Sequence, residues 1–387
     1  MPNHEGRTSS TIASSRLSRL LGPSRLLGLN RLAGLSGLLA CLALVASGCG
    51  LLSNHHGSSA ASTKQGSSSS GANVKGYSGS QPTGPPCPLT GLPAPGGVVP
   101  QRPAMAIKIG NNPAAWPQSG LNEADVVFEE PIEGAITRLL AIFQCHGASK
   151  VGPVRSTRWV DTRILPQFGH PGFAFAGGII PDEHLVARSG VFDLNFTRYY
   201  DAAYVRSGSR VAPENLYTST SKLWAIDKSR TPPPSIFQYS RQPPVGLGKA
   251  VSSVELTWSS ICSVKWVWDK RAGYWIRYHN GTEDFDTSGN PVHATNVVVE
   301  VVRVTRGPYP EDVELNHGVH SHTVGSGPAL ILRNGVAIKA TWHRPGIHEA
   351  ATFLGRNGTL ITLAPGNTWV ELLPVYGSIH QVSTPQG

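Results

Sequence analysis

Charge is scarce in this sequence: 15% of its residues are Asp, Glu, Lys or Arg, while Gly (43) and Pro (31) are abundant. That balance points to a turn-rich, strand-rich protein rather than a helical bundle. No CxxC spacing occurs, so metal and redox sites of that kind have no footing. No serine sits in a G-x-S-x-G elbow, and neither HExxH nor a phosphate-binding glycine loop is present. No apolar run reaches the roughly 20 residues that a spanning helix needs. A nucleic-acid signature is also missing. The formal charge of +9 falls to +5, with 28 basic against 23 acidic residues, once the arginine-rich first 48 residues are set aside. What remains is 387 residues with 40% hydrophobic content, enough for two domains with their own cores.

The first 48 residues form an address. Arg7, Arg16, Arg19, Arg25 and Arg31 face one acid, Glu5, and lead into the uncharged run LAGLSGLLACLALVA. At this length the run fits the hydrophobic region of a signal peptide. It ends in VASGC, which is similar to a bacterial lipobox. Cys49 would then carry diacylglycerol and further acyl chains such as palmitate, and two or more chains make a stable anchor. Ordinary secretion with nearby cleavage, or an uncleaved anchor, are the alternatives. Residues 50–86 hold ten serines and seven glycines with few large apolar side chains. Together with Cys49 they read as a flexible tether (49–86) spanning roughly 30 Å root-mean-square. The expected place is the outer face of the bacterial cytoplasmic membrane, lipid-anchored.

Beyond the tether, Cys87, Cys145 and Cys262 remain. Outside the cell one disulfide among them is allowed, and a Cys87–Cys145 pair would staple the start of the fold to the end of a predicted strand. Residues 87–239 contain strand signals in AMAIKI, ADVVF, AITRLLAIFQC and FAFAGG, and a short helix in RSTRWVDTRIL capped by Ser156 or Thr157. The proline-rich segment 231–248 reads as a linker or crossover. Residues 240–387 read as β almost throughout, with Asn280-Gly281, Asn334-Gly335 and Asn357-Gly358 as hairpin turns.

Several phrases occur in one order: PLTGLPAP, NNPAAWPQSGL, EADVVFEEPIEGAITRLLAIF, VGPVRSTR and, late in the chain, GSGPALILRNGVAIKATW with TWVELLP. In this the chain resembles the YerB-like lipoprotein family, a domain of unknown function, over roughly residues 87 to 378. The resemblance implies an α+β protein: a layered β-β-α sandwich N-terminal domain with a β-rich C-terminal domain. It implies no established activity, so no catalytic residue is carried over. Where the family tends to have Asp-Asn-His-Pro and Arg-Pro-Gln-Ser-Gly, this chain has Gly110, Asn111, Asn112, Pro113 and then Trp116, Pro117, Gln118. That departure counts against any proposal that makes the histidine or the arginine catalytic for the whole family.

Two charged constellations stand out. In FEEPIEGAITR, strand alternation puts Arg138 in an apolar row with Ile136, Leu140 and Ile142. A buried guanidinium needs a partner, and Glu129 or Glu130 on the neighbouring strand is expected to supply it, with Glu133 more exposed in the turn. One reading makes Glu129 or Glu133 an acid–base group beside Arg138. The preferred reading makes the pair a device that sets hairpin register. In VGPVRSTR, Arg155 and Arg158 lie at a predicted helix start, where an internal carboxylate or a ligand anion must offset them. With Gln118 and Ser119 from the preceding loop they form the candidate ligand site.

The weaker signals are His317, His320 and His322, whose spacing is unlike a zinc site, and the aromatics Trp266, Trp268, Tyr274, Trp275 and Tyr278. The aromatics read as core packing ahead of a carbohydrate face. The sequence therefore predicts a membrane-anchored envelope protein without cofactor or metal, binding an anionic wall glycan or polymer, or a protein partner. A wall-active hydrolase and a non-catalytic scaffold are the alternatives. An enzyme is the less favoured class.

Overall fold

A computed structural model describes residues 84–384 apart from residue 245. The signal segment, Cys49 and nearly all of the tether lie outside the described residues.

The strands follow the alternation of the sequence. In the first half they are β1 (Met105–Gly110), β2 (Val126–Pro131), β3 (Thr137–Phe143), β4 (Gly172–Ala174) and the short β5 (Phe192–Asp193), β6 (Val205–Arg206) and β7 (Leu216–Tyr217). Four short helices stand among them: α1 (Asp161–Ile164), α2 (Ile180–Arg188), α3 (Phe196–Ala203) and α4 (Thr220–Ile226). The second half holds β8 (Lys249–Thr257), β9 (Ser263–Asp269), β10 (Tyr274–His279), β11 (Thr282–Glu283), β12 (His293–Ala294), β13 (Asn296–Pro310) and β14 (His317–His322). It closes with β15 (Gly325–Arg333), β16 (Val336–Arg344), β17 (Thr352–Leu354), β18 (Thr368–Pro374) and β19 (Ser378–Ser383). The described fold is mostly β, with little helix.

One mixed sheet runs through both halves of the chain. Its order is β5–β4–β1–β3–β2–β18–β13–β15–β16, and β18 lies parallel to both β2 and β13. Every residue of β1, β2, β3 and β18 is buried, as strands covered on both faces must be. A second, antiparallel sheet, β19–β8–β9–β10, packs on one of those faces. There Ile107, Ile109, Leu139 and Ala141 meet Trp266, Trp275 and Trp369. On the other face Ile331 and Phe353 pack with Val160, Ile164 and Phe168 and with Ile236. The proline-rich segment therefore packs into this core through Ile236 and Phe237 and bridges to Leu363 through Tyr239.

Local chemistry differs from expectation at two places. Asn280-Gly281 and Asn334-Gly335 take positive φ at both positions, as a two-residue turn between right-twisted strands requires. At Asn357-Gly358 only the glycine does, and a bridge between Leu354 and Leu360 closes a longer loop. The helix predicted from residue 156 starts later, at Asp161, and passes into a 3₁₀ turn at Leu165–Phe168. Neither Ser156 nor Thr157 caps it. The Asp161 carboxylate instead ties down the turn before the helix, accepting from the Arg158 amide at 2.7 Å and the Thr157 hydroxyl at 3.0 Å. Cys87 and Cys145 are joined by a disulfide, and Cys262 is free and buried.

Candidate functional site

Strand alternation sorts the charges of β1, β2 and β3 onto two faces. Lys108, Glu130 and Arg138 point to one, and Glu129 and Thr137 to the other. Glu130 and Arg138 are register partners in the β2–β3 hairpin. They are nonetheless not an ion pair. Glu130 pairs instead with Lys108, which also donates to Asp161 at 2.8 Å, and all three are fully buried. Burial pulls the Lys108 ammonium down to about 8 against the raising effect of Asp161. Arg138 turns toward the end of the hairpin. It donates to the Ser156 carbonyl at 3.1 Å, and its nearest carboxylate, Glu133, is 3.6 Å away.

Glu133 is buried, contrary to the exposed turn position expected for it. It is gripped by Arg158, whose Nε donates to Oε2 at 2.7 Å and whose Nη2 donates to Oε1. Burial disfavours the Glu133 charge, but Arg158 and Arg138 together hold its carboxyl below the ordinary range. Arg155 pairs with Glu214, which also accepts from the Asn112 amide at 3.0 Å. Gly110 permits this, because a Cβ there would press on the Arg155 side chain at 2.9 Å.

Arg138, Arg155 and Arg158 converge on one cleft of about 610 Å³, with Asn111, Asn112, Glu133 and Ser156 beside them and residues 311–314 as the far wall. Glu311 places a carboxylate oxygen 2.5 Å from Arg158 Nε. Burial pushes the Glu311 carboxyl up to about 7 and that of nearby Asp182 up to about 6. Burial, then the neighbouring Arg158, pull the Arg138 guanidinium down to about 9. It is the cation of the cleft with the weakest compensation.

Glu129 lies on the opposite face, so the sequence pairing of Glu129 with Arg138 is not assembled. Its partners are Arg277 at 2.7 Å, Thr137 at 2.7 Å and Asn111 at 3.2 Å. Gln118 is buried behind the cleft, donating to the Gly110 carbonyl and to Asn111 Oδ1 at 2.9 Å. Ser119 bonds Thr287 at 2.8 Å. Gln118 supports the cleft wall from behind through Asn111, and neither Gln118 nor Ser119 lines the cleft. His320 stacks on Trp159 at 4.2 Å and His317 bonds the Gly307 carbonyl. Among the described residues no group of His, Cys, Asp and Glu is arranged to hold a metal ion. Trp266 and Trp275 are fully buried between the sheets.

Sequence reasoning missed Lys108, Glu214, Arg277, Glu311 and Glu371. Three of them carried a readable signal: a lone charge inside an apolar strand, in AMAIKI, YWIRY and TWVELL. Such a charge must find a buried partner.

Two family models match the chain: "Protein of unknown function (DUF3048) N-terminal domain" over residues 89–232, and the corresponding C-terminal domain over residues 254–370. The chain is 29% identical over 298 residues to YerB of Bacillus subtilis (strain 168), a lipoprotein by designation only, covering 74% of this chain and 86% of YerB. A crystal structure of YerB from Bacillus subtilis superposes with a TM-score of 0.65 at 24% identity, covering 76% of this chain and 99% of that one. That likeness establishes the fold.

Proposed function

This chain belongs to the DUF3048 family, described as proteins of unknown function, and we propose that it is an extracytoplasmic lipoprotein whose arginine cleft binds an anionic group of an envelope ligand. The anchoring half of this reading rests on the lipobox-like VASGC ending at Cys49 and on the designation of YerB as a lipoprotein. The binding half rests on Arg138. A buried guanidinium faces an open cleft, is crowded by Arg155 and Arg158, and meets its nearest carboxylate only at 3.6 Å. Within the binding site, a carboxylate or phosphate would supply the charge that the protein leaves short, with Asn111, Asn112 and Ser156 as polar neighbours. An anionic wall polymer or glycan carries such groups.

The test is calorimetric titration of the full chain, held in detergent, with inorganic phosphate and then with a glycerol-phosphate oligomer. Saturable binding that drops about tenfold or more in Arg138→Gln supports the reading, since removing one charge-assisted contact costs roughly that much. Absence of saturable binding to either probe sinks it.

A second reading has one observation in its favour. Glu133 is held ionised while Glu311, in the same cleft, is pushed up to about 7. Two carboxyls with separated acidities are the pattern of an acid–base pair. Hydrolysis of a wall polymer that is lost in both Glu133→Gln and Glu311→Gln would favour it over binding alone.

A further inference from the structure

The cleft already contains an anion of its own. Residues 311–316 form the tip between β13 and β14, and hydrogen bonds inside the tip order it. Asp312 Oδ1 accepts from the Glu314 and Asn316 amides at 3.0 and 2.8 Å, and the Glu311 amide donates to the Asn316 carbonyl at 2.8 Å. The apolar side chains of the tip face outward, with Val313 98% and Leu315 71% exposed. Glu311 is the exception. Its side chain is 2% exposed and reaches back onto Arg158.

That contact is incomplete. The single Nε–H of Arg158 donates to Glu133 at 2.7 Å, so the Glu311 oxygen 2.5 Å away is held by charge without a hydrogen bond. A buried carboxylate oxygen with no donor is a costly arrangement. Of the carboxylates around Arg158, Glu311 is therefore the one most easily displaced, and its acidity, weakened by burial, agrees. The seat is also specific in shape. Glu311 lies over the backbone of Gly318 in β14, where any Cβ would overlap its carboxylate. Gly318 has no positive φ, so its lack of a side chain serves this close approach and not a turn.

We propose that the 311–316 tip is a strap over the arginine cleft, with Glu311 standing in for the carboxylate or phosphate of the ligand, so that ligand binding and strap release are one competitive equilibrium. This rests on the binding reading above. It adds that the native protein is held in a state of low affinity, which a ligand or a partner grasping the exposed tip relieves.

The experiment compares the native full chain with Glu311→Gln and Gly318→Ala, titrating each with inorganic phosphate and, separately, acetate. Hydrogen exchange of residues 311–316 is followed with and without the anion. Gly318→Ala leaves every charge in place and only evicts the Glu311 side chain. The expected result is tighter binding in both variants, by roughly three- to tenfold, and faster exchange in the native strap when the anion is added. The better of the two probes identifies the anionic group. Binding by the variants alone would also support the strap, as full closure of the native cleft. Equal affinities in all three proteins overturn the strap and leave the binding reading intact. A gain confined to Glu311→Gln, with unchanged exchange in the native strap, reduces Glu311 to a charge effect and also overturns it. No binding by any of the three overturns the binding reading itself.

Discussion

Glu129 and Glu371 lie opposite each other across the parallel pairing of β2 with β18, both fully buried, with Arg277 2.7 Å from Glu129. The seam between β2 and β18 thus carries two carboxyls and a guanidinium that reaches in from the second sheet. Asp284 pairs with the same arginine, and the Trp266 indole donates to Glu371 at 2.8 Å. Burial, and then the charge of Glu129, raise the Glu371 carboxyl well above its ordinary range.

Arg277→Met is expected to destabilise the protein by about 3–5 kcal/mol, because it strands buried carboxylates. Urea unfolding checks this. A loss below about 1 kcal/mol would mean that the seam rearranges to neutralise itself.

Glu371→Gln should be far milder, since burial favours the uncharged carboxyl that the neutral amide mimics. The sign of the pH dependence follows from the raised pKa. Above the ordinary carboxyl range the unfolded chain has lost this proton while the fold retains it, so stability falls as pH rises until the folded group also ionises. Glu371→Gln should flatten that fall in melting temperature measured from pH 5 upward. An unchanged slope in the variant would place the titration elsewhere.

His146 offers the complementary case. Its Nδ1 lies 2.6 Å from the buried Asp125 carboxylate, which holds the imidazolium proton and raises the pKa above the ordinary 6.5 despite partial burial. Its stabilising contribution is complete below about 6.5 and disappears as pH rises through the folded value. His146→Gln should remove that component of the melting profile, and a profile identical to the native one would count against the ion pair.

Arg158→Gln should cost more stability than Arg138→Gln. The first leaves Glu133 buried without its two hydrogen bonds, at about 3–5 kcal/mol, while the second removes a guanidinium whose nearest carboxylate is 3.6 Å away. Paired unfolding curves decide the order. The reverse order would make Arg138 a structural residue and weaken its assignment to the ligand.

Replacing Cys87 and Cys145 together by serine opens a crosslink that spans 58 residues. A loss of about 2–4 kcal/mol is expected from the freed chain entropy of the unfolded state. Equal unfolding midpoints for the native and double-serine proteins would show that the packed residues around Cys87 hold the N-terminal segment without it.

The elements of the fold were largely legible. Period-two alternation in β1, β2 and β3, the Asn-Gly turns at 280 and 334 and the placement of Arg138 on the face of Leu140 and Ile142 follow from local sterics and side-chain period. The later start of α1 was not legible, because the Asp161 side chain competes for the Arg158 amide that a cap at Ser156 or Thr157 would need. At the cleft, the presence of paired carboxylates near Arg155 and Arg158 was open to inference, but not their identity.

The chain alone determined which face of a strand each residue occupies and that the buried charges require partners, since these depend on neighbours within a few residues. Only the tertiary structure decided that Glu130 goes to Lys108, Glu129 to Arg277 and Glu133 to Arg158, and that Glu311 reaches Arg158 from a hairpin more than 150 residues away in sequence. The physical reason is that Coulomb attraction and desolvation depend on distance in space. The parallel pairing of β2 with β18 and the reach of the 311–316 tip set those distances, and no local pattern encodes them.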